Sequence, residues 1–575
     1  MKKWKQYLRG YGKECILGPL FKLLEATFEL LVPLVVARIV DVGIAQSDKG
    51  YIIRMCLVMA GLGVVGLASA VMAQYFAAKA AVGIAARLRH GVMARILGLS
   101  YTQLDTLGTS TMVTRMTSDI NQVQNGINLT LRLLLRSPFV VFGAMAMAFT
   151  IDARAAAVFA GVIPVLCLVV FGIMLLTMPM YRRVQGKLDA LTSATRQNLS
   201  GVRVLRAFTK EEEEKREFHS RNQDLTRSQL AAGRASALMN PLTYVIVNLA
   251  VIALIRVGAL KVDSGVLTQG QVIALYNYMS QILVELIKMA NLIINMTKAV
   301  ACAKRIGSVL DIAQEQSDEG VRPEERDGRV EFRNVTAKYA GAAEASLEGV
   351  DFTALPGQTI GIIGGTGSGK TTLVNLIPRL YDAAAGQVLV DGTDVRAFAR
   401  EDLRSRIGVV PQKAVLFRGT IRENLLWGNE NATDADLMDA LRVAQGAEIV
   451  TGKEGGLDAQ VEQGGANFSG GQRQRLTIAR ALVRHPEILI LDDSASALDY
   501  ATDANLRMAI RGMENPPTTF IVSQRAASVR YADCILVLDD GAVVGMGKHD
   551  ALLETCPVYQ EIFYSQFPKE ATENG

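Results

Sequence analysis

The feature that most constrains this chain is a series of long apolar stretches in its first 300 residues. Each is about 20 residues or longer, which is the length that a helix needs to cross the hydrocarbon of a bilayer. Short loops with few basic residues alternate with long loops that are rich in Arg and Lys. We therefore predict six membrane-spanning helices, at 16–44, 52–84, 129–151, 155–180, 240–261 and 270–297.

The charge of the loops predicts how these helices are oriented. The long basic loops 87–115 and 182–234 favour the cytoplasmic side of the membrane, as do Arg9 and Lys13 near the N-terminus. We predict a multi-pass protein of a bacterial-type plasma membrane with both termini in the cytoplasm. The net charge is only +5 over 575 residues, so the basic residues indicate topology. We expect the lipid bilayer, and no nucleic acid, as a partner.

Several charged residues lie inside the predicted spans. Such residues rarely face lipid, and they often line a cavity or a substrate pathway. Alternatively, they lie near the membrane interface or pair with one another between helices. The sequence leaves both interpretations open for Glu25, Glu29, Arg132, Arg136, Glu285 and Lys288.

The pattern changes after a polar, acidic segment at 313–329, which we interpret as a linker. Beyond it, short β-like runs and Gly-rich turns alternate with helical segments, as in mixed α/β domains. The predicted fold class is therefore multidomain. An all-α six-helix transmembrane domain occupies 1–312, and an α/β P-loop nucleotide-binding domain occupies 330–575.

A Gly-rich motif in the second domain indicates nucleotide binding. The sequence GGTGSGKT at 364–371 follows an apolar strand at 359–363 and precedes a predicted helix at 372–376, which is the context of a P-loop. Its backbone N–H groups can surround phosphates, Lys370 can reach the β- and γ-phosphates, and Thr371 can bind Mg²⁺. The ATP-binding residues predicted here are Gly364, Gly365, Thr366, Gly367, Ser368, Gly369, Lys370, Thr371 and Thr372.

A second motif supplies a carboxylate for the metal ion. The run Ile488–Asp492 reads as a buried strand that ends in Asp492. This is the Walker B arrangement, in which the Asp holds the Mg²⁺ shell. The predicted cofactors are therefore ATP and Mg²⁺.

Between these motifs, residues 467–475 read NFSGGQRQR. This segment resembles the signature motif of ABC transporters. The resemblance implies that Ser469, Gly470, Gly471 and Gln472 lie at a helix N-terminus and contact ATP held by a second copy of the domain.

Other residues match the same family. Tyr339 resembles the aromatic residue that stacks on adenine, although a core aromatic is the alternative at this position. Gln412 matches the glutamine that senses Mg²⁺ and meets the transmembrane domain, and Asp499 matches the D-loop residue that communicates between two ATP sites. The segments 101–105 and 201–212 resemble the two coupling helices of type IV exporters.

Two positions depart from the family pattern. Competent family members have Glu directly after the Walker B Asp, where this chain has Asp493. The family's switch histidine is replaced by Gln524. The Glu and the His carry the catalytic roles in the family, and Asp493 and Gln524 occupy their positions here. We therefore predict a site that binds ATP but hydrolyses it slowly.

The resemblance implies a subunit of an ATP-driven exporter, an ABC-type translocase that carries a multidrug-like, peptide or lipid-like cargo. The expected partner is a second half-transporter with Glu and His at the two altered positions, which gives a heterodimer. Two alternatives stay open: an importer that uses the exporter fold, and an ATP-gated channel or regulatory subunit. The predicted spans exclude a soluble ABC protein that acts on ribosomes or DNA.

Overall fold

The computed structural model describes residues 4–313 and 319–567 of the chain. The two chain ends and residues 314–318 of the predicted linker lie outside the described residues. The chain divides into two compact units. The first comprises Met1–Ile96 and Ser110–Ile312, and the second comprises Leu97–Thr109 and Ala313–Gly575. The predicted boundaries at 312 and 330 remain predictions, and the segment Leu97–Thr109 packs with the second unit.

The first unit is helical throughout its described elements. Two π-helical turns, at Ile39–Ile44 and Arg115–Asp119, interrupt the α-helices. The α-helices from the N-terminus to the linker are α1 Trp4–Leu8, α2 Gly12–Arg38, α3 Lys49–Leu97, α4 Tyr101–Leu107, α5 Thr109–Thr114, α6 Ile120–Leu133, α7 Arg136–Ile151, α8 Ala153–Ser200, α9 Val202–Ala207, α10 Glu211–Ala237, α11 Met239–Asp263 and α12 Gln269–Leu310.

Five helical stretches of the described chain are long and apolar enough to cross a membrane. They contain five of the six predicted spans. The first predicted span, 16–44, does not meet this standard, because helix α2 carries Lys22, Glu25 and Glu29 within its apolar stretch. The charges lower its hydropathy, but they are paired inside the unit, as shown below.

Local sequence signals set the ends of several of these helices. Asp152 begins α8 by accepting a hydrogen bond from the backbone N–H of Ala155 at 2.7 Å. Thr268 begins α12 through a reciprocal capping box with Gln271. Such caps satisfy N–H groups that have no partner within the helix. They place short loops, at 152 and 264–268, between consecutive long helices.

The second unit is an α/β domain built around three sheets. Its strands are β1 Val330–Ala337, β2 Leu347–Ala354, β3 Thr359–Gly364, β4 Ala385–Val390, β5 Thr393–Asp394, β6 Ile407–Val410, β7 Gly419–Thr420, β8 Gln460–Val461, β9 Ile488–Asp492, β10 Thr518–Val522, β11 Cys534–Asp539 and β12 Ala542–Gly547. Its helices after the linker are α13 Lys370–Leu376, α14 Arg400–Ser405, α15 Ile421–Leu426, α16 Asp434–Val443, α17 Ala447–Thr451, α18 Gly470–Leu482, α19 Tyr500–Arg511, α20 Ala526–Val529, α21 His549–Thr555 and α22 Pro557–Gln566.

The central sheet has the order β12-β11-β3-β10-β9-β6, and all its pairs are parallel except β11 with β12. Its five parallel strands are largely apolar and buried, as expected when helices cover both faces of a parallel sheet, whereas the antiparallel edge strand β12 exposes Val544 and Met546. Strands β3, β10 and β9 are neighbours, so their carboxyl ends lie side by side at one edge. Ligands of α/β proteins bind at such edges, and the predicted ATP residues follow these strands.

Candidate nucleotide site

The loop between β3 and α13 has a backbone that only glycine adopts readily. Gly367 and Gly369 have φ values of +87° and +95°. A Cβ atom at Gly369 would lie 2.5 Å from the backbone oxygen of Ser346, which is too close for any other residue. Helix α13 begins at Lys370, two residues earlier than predicted. The glycines therefore shape a tight turn that leads directly into a helix N-terminus, a favourable place for an anion.

Lys370 is held inside this loop. Its ammonium group donates hydrogen bonds to the backbone oxygens of Gly364 (3.0 Å) and Gly365 and to Ser368 Oγ (3.3 Å). Burial lowers the pKa of Lys370, while the carboxylates of Asp492 and Asp493 act in the opposite direction. The side chain is thus preorganised as a buried cation beside the phosphate-binding turn.

The end of β9 supplies oxygen ligands of the kind that Mg²⁺ prefers. Thr371 Oγ1 donates a hydrogen bond to Asp492 Oδ1 at 3.1 Å. Burial raises the pKa of Asp492, and Asp493 raises it further, while the Thr371 hydrogen bond and Lys370 lower it. A buried carboxylate beside a hydroxyl and a second carboxylate fits a divalent cation.

The two altered positions, Asp493 and Gln524, lie beside Lys370 and Asp492. Asp493 has a left-handed backbone with φ of +46°, and its Oδ2 accepts a hydrogen bond from Gln412 Nε2 at 3.3 Å. Gln524 follows β10 and is exposed. Its backbone oxygen accepts a hydrogen bond from Gln566 Nε2 at 2.8 Å. The helix α22 thereby fixes the backbone of the switch position.

These groups surround a cavity of about 340 Å³. Ten of the residues that line it were predicted as site residues, namely Tyr339, Thr366, Gly367, Gly369, Lys370, Thr371, Thr372, Gln412, Asp492 and Asp493, and Gln524 is an eleventh. The wall also includes Ser346, Val522 and Ser523, which the sequence analysis missed. Little in the sequence indicated them, because Ser346 precedes β2 and Val522 and Ser523 lie at the end of β10, and neither position is part of a motif.

Tyr339 lies at one side of the cavity, where its hydroxyl is 3.0 Å from Thr372 Oγ1. Its ring packs edge-on against the ring of Tyr381, with centroids 5.0 Å apart. Tyr381 in turn donates a hydrogen bond to Asp105 Oδ2 at 2.8 Å and contacts the ring of Tyr101. The segment that resembles the first coupling helix is therefore linked through one tyrosine to the nucleotide cavity, a role for Tyr381 that no motif indicated.

The signature residues do not line this cavity. Ser469 caps helix α18: its Oγ accepts a hydrogen bond from the N–H of Gln472, and the Gln472 side chain accepts one from the N–H of Ser469. No heavy atom lies within 4 Å of a Cβ built at Gly470, and one built at Gly471 meets only the backbone oxygen of Ala497, at 3.1 Å. Asp499 caps helix α19 by accepting from the N–H of Thr502 at 2.8 Å. The N-terminus of each of these two helices is thus capped by a side chain of this chain.

Comparison with known proteins agrees with this architecture. Residues 15–286 match the family model of the ABC transporter transmembrane region, and residues 347–496 match that of the ABC transporter. An uncharacterized ABC transporter ATP-binding protein of Mycobacterium tuberculosis (strain CDC 1551 / Oshkosh) is 38% identical over 98% of this chain and 97% of its own length. A fatty acid ABC transporter ATP-binding/permease protein of Mycobacterium bovis is 32% identical over 83% of this chain and 75% of its own length.

A solved structure shares the fold. The structure of a bacterial Atm1-family ABC exporter with ATP bound aligns with a TM-score of 0.81 over 97% of this chain and 99% of that one, at 22% identity. The fold and the cavity define a membrane-embedded protein with a fused P-loop ATPase domain. The chain belongs to the ABC transporter family, as a multi-pass half-transporter with the type IV exporter fold.

Proposed function

We propose that this chain is one subunit of a heterodimeric ATP-driven exporter in the plasma membrane, with both termini in the cytoplasm. The observation that carries the proposal is the composition of one cavity. Its phosphate-binding side is lined by the P-loop residues Thr366, Gly367, Gly369, Lys370 and Thr371, while its catalytic side is lined by Asp493 and Gln524. The cavity therefore supports tight binding of Mg-ATP together with slow hydrolysis.

The chemistry of the altered side supports slow hydrolysis. Asp is one methylene shorter than Glu, so its carboxylate lies about 1 Å further back, and a misplacement of that size can cost about 10²-fold in rate. The Asp493 carboxylate also shares a hydrogen bond with Gln412. Gln524 can form hydrogen bonds but cannot carry a proton or a positive charge.

The residues that we assign to Mg²⁺ binding are all present. Thr371, Asp492 and Gln412 would hold Mg²⁺, which neutralises charge on the phosphates when it is bound. Lys370 and the backbone N–H groups of the P-loop would orient the phosphates. Tyr339 would contact the base. This half of the site binds and positions the nucleotide, whatever the rate of the chemical step.

The signature residues are assigned to the partner's ATP. Ser469, Gly470 and Gly471 begin α18 outside this chain's own cavity, and the open space around Gly470 leaves room for a phosphate from a second chain. Asp499 would lie between the two sites. The partner, a half-transporter with Glu and His at the altered positions, would then hold the competent site.

The second coupling segment also supports a partner. Its short helix α9 and the following residue expose apolar side chains, with Val204 60% and Phe208 73% exposed. In this proposal the partner's nucleotide-binding domain covers them. The cargo would be an apolar or amphiphilic molecule, in keeping with the fatty acid that is named for one relative.

Nucleotide retention tests the slow site. The transporter, purified with the subunit that accompanies it, is incubated with Mg-ATP until many turnovers have occurred and is then passed through a rapid desalting column. We expect about one ATP, not ADP, to remain bound per transporter. The double variant Asp493→Glu with Gln524→His should retain ADP instead. If the wild-type transporter retains ADP, or if the double variant changes nothing, the proposal is wrong.

A further inference from the structure

A second, partly open cavity with polar side chains lies between two helices of the first unit. It has a volume of about 360 Å³ and is bounded by α2 and α12. Its polar lining comprises Glu29, Asn277, Gln281, Glu285 and Lys288 together with Ser280. The sequence analysis left open whether such charges pair between helices or line a cavity, and Glu29 and Glu285 do both.

The residues that line the cavity fall within the predicted spans 16–44 and 270–297. Glu285 is 16 residues after the start of α12 at Gln269, which is about 24 Å along the helix. Arg136 is 15 residues before the end of α7 at Ile151, which is about 22 Å along that helix. The two groups therefore lie at similar distances from these helix ends, and each distance is shorter than the roughly 30 Å thickness of the hydrocarbon.

A buried arginine organises the charged groups of this region. Arg136 forms ion pairs with Glu285 and, at 2.5 Å, with Glu29. Glu285 also accepts hydrogen bonds from Ser137 Oγ at 2.8 Å and Lys288 Nζ at 2.9 Å. Both oxygens of Glu285 are therefore occupied by protein groups, and this carboxylate holds the cavity together instead of binding a ligand.

The charges of the cluster balance. Its carboxylates are Glu25, Glu29 and Glu285, and its cations are Lys22, Arg136 and Lys288. A cargo with one net charge would leave that charge uncompensated in a region of low dielectric constant, which is costly. An uncharged head group, or one with a positive and a negative centre, would keep the cluster neutral, but only the second could pair with both of the partly exposed charges, Glu29 and Lys288.

Several groups of the cavity retain bonding capacity. The side chains of Glu29 and Lys288 are 41% and 42% exposed, and Lys288 has one protein partner among the described ion pairs. Gln281 Oε1 is buried and accepts no hydrogen bond from the protein, which costs free energy unless a ligand donates to it. Pro33 has no N–H, so the backbone oxygen of Glu29 lacks its helical donor. Acceptors thus gather around Glu29 and Gln281, while Lys288 supplies donors.

We propose that this cavity binds the head group of an amphiphile that carries both an ammonium and an anionic group. Glu29 and Gln281 accept hydrogen bonds from the ammonium, and Lys288 pairs with the anion. Val32 and Val284 line the same cavity and contact the apolar part next to the head group. The inference rests on the proposed transport function, because it treats the cavity as a place where cargo binds.

Equilibrium binding in nanodiscs of phosphatidylcholine, whose quaternary ammonium has no N–H to donate to Glu29 and Gln281, tests the inference without any need for ATP hydrolysis. The full transporter is titrated with three radiolabelled probes that have the same palmitoyl or hexadecyl chain length: lysophosphatidylethanolamine, lysophosphatidylglycerol and hexadecylammonium. We expect lysophosphatidylethanolamine to bind at least about tenfold more tightly than the other two, the ratio for roughly one lost charge-assisted hydrogen bond. Empty nanodiscs give the background.

Two variants assign the two charges. Glu29→Gln should weaken the binding of lysophosphatidylethanolamine by about tenfold and leave the binding of lysophosphatidylglycerol unchanged. Lys288→Gln should remove the preference for lysophosphatidylethanolamine over hexadecylammonium. Lys298→Gln makes the same charge change on α12 away from the cavity and should alter nothing. ATP binding by each variant reports its fold. An unchanged order of affinities in both variants, or a wild-type preference for either singly charged probe, would overturn the inference.

If the transport proposal alone is wrong, the outcome differs. Purified protein would then show no ATP-dependent movement of any probe, while the binding preferences and their response to Glu29→Gln persist. If the cavity inference alone is wrong, the transporter still retains ATP in the desalting assay, but its relative affinities for the three probes do not change in the variants.

Discussion

The cavity around Lys370 and the helix that begins at Gly470 are both predicted to contact ATP, but they match the family pattern unequally. The cavity lies beside a P-loop whose sequence is complete, and it is also lined by Asp493 and Gln524, at two positions where competent members have Glu and His. The helix has an unaltered SGGQ sequence and a complete capping box. In the proposed heterodimer, the helix serves the partner's ATP site, while the cavity is this chain's own site. Variants on the two surfaces should therefore have very different effects on ATP turnover.

The largest effect is expected from Gly470→Asp. A Cβ at Gly470 meets no atom within 4 Å in this chain, so the fold should tolerate the change. The new carboxylate would repel the phosphates of the partner's ATP, and we expect steady-state ATPase activity to fall by at least about 10²-fold, the effect of losing one electrostatic contact to the reacting group. Gly470→Ala is the matched control, because it fills the same space without charge and should retain more activity. Equal losses in the two variants would contradict the electrostatic explanation.

Lys370→Ala should weaken ATP binding at this chain's own site. Each charge-assisted hydrogen bond contributes about 1.5–3 kcal/mol, so the dissociation constant should rise by about 10²-fold for one or two bonds to phosphate. Isothermal titration of the transporter with Mg-ATP should then show one weakened site and one unchanged site. Unchanged affinity at both sites would remove Lys370 from the proposed site.

Ser469→Ala separates the signature role from simple helix capping. Loss of an N-cap costs about 1 kcal/mol of stability, and Thr433 forms an equivalent capping box at the start of α16. We expect Ser469→Ala to reduce ATPase activity by about tenfold or more, for the loss of a hydrogen bond to phosphate. Thr433→Ala should lower stability similarly but leave turnover near wild type. If both variants lose the same activity, Ser469 acts only as a cap.

Acidification provides a smaller effect. Burial raises the pKa of Asp492, and Mg²⁺ binds the ionised carboxylate. Protons should therefore compete with Mg²⁺ for Asp492 at a higher pH than they do for an ordinary Asp. As the pH falls, ATP binding should require a higher concentration of Mg²⁺. Titrations with Mg²⁺ between pH 5 and 7 check this. Asp492→Asn should bind Mg²⁺ weakly at all these pH values, and a pH dependence that persists in it would point to another group.

The sequence predicted most reliably what depends on neighbouring residues. The P-loop and the strand ending at Asp492 are contiguous motifs, and the structure has them as the β3–α13 turn and β9. Partners that are distant in sequence could not be predicted. Arg136 pairs with Glu285 across 149 residues, and Tyr381 bonds to Asp105 across 276 residues. Helix α2 falls short of a membrane span by composition because its carboxylates belong to such a long-range cluster, which hydropathy cannot detect.

The smallest effect is expected from Asp493→Asn. Asn tolerates the left-handed backbone at this position, so the substitution removes the carboxylate without straining the turn. Removing a working general base costs about 10²–10⁴-fold. Because the proposed slow site contributes little to turnover, we expect the steady-state ATPase activity to change by less than about threefold, measured on the same scale.

The most direct test of the account is therefore a side-by-side assay of steady-state ATPase activity in the wild type, Asp493→Asn and Gly470→Asp, each purified with its partner subunit and reconstituted in the same lipid. The account predicts that Asp493→Asn retains at least about a third of wild-type activity while Gly470→Asp loses about 99% or more. If Asp493→Asn abolishes hydrolysis as completely as Gly470→Asp does, Asp493 is a working base and the two surfaces of the chain are functionally equivalent.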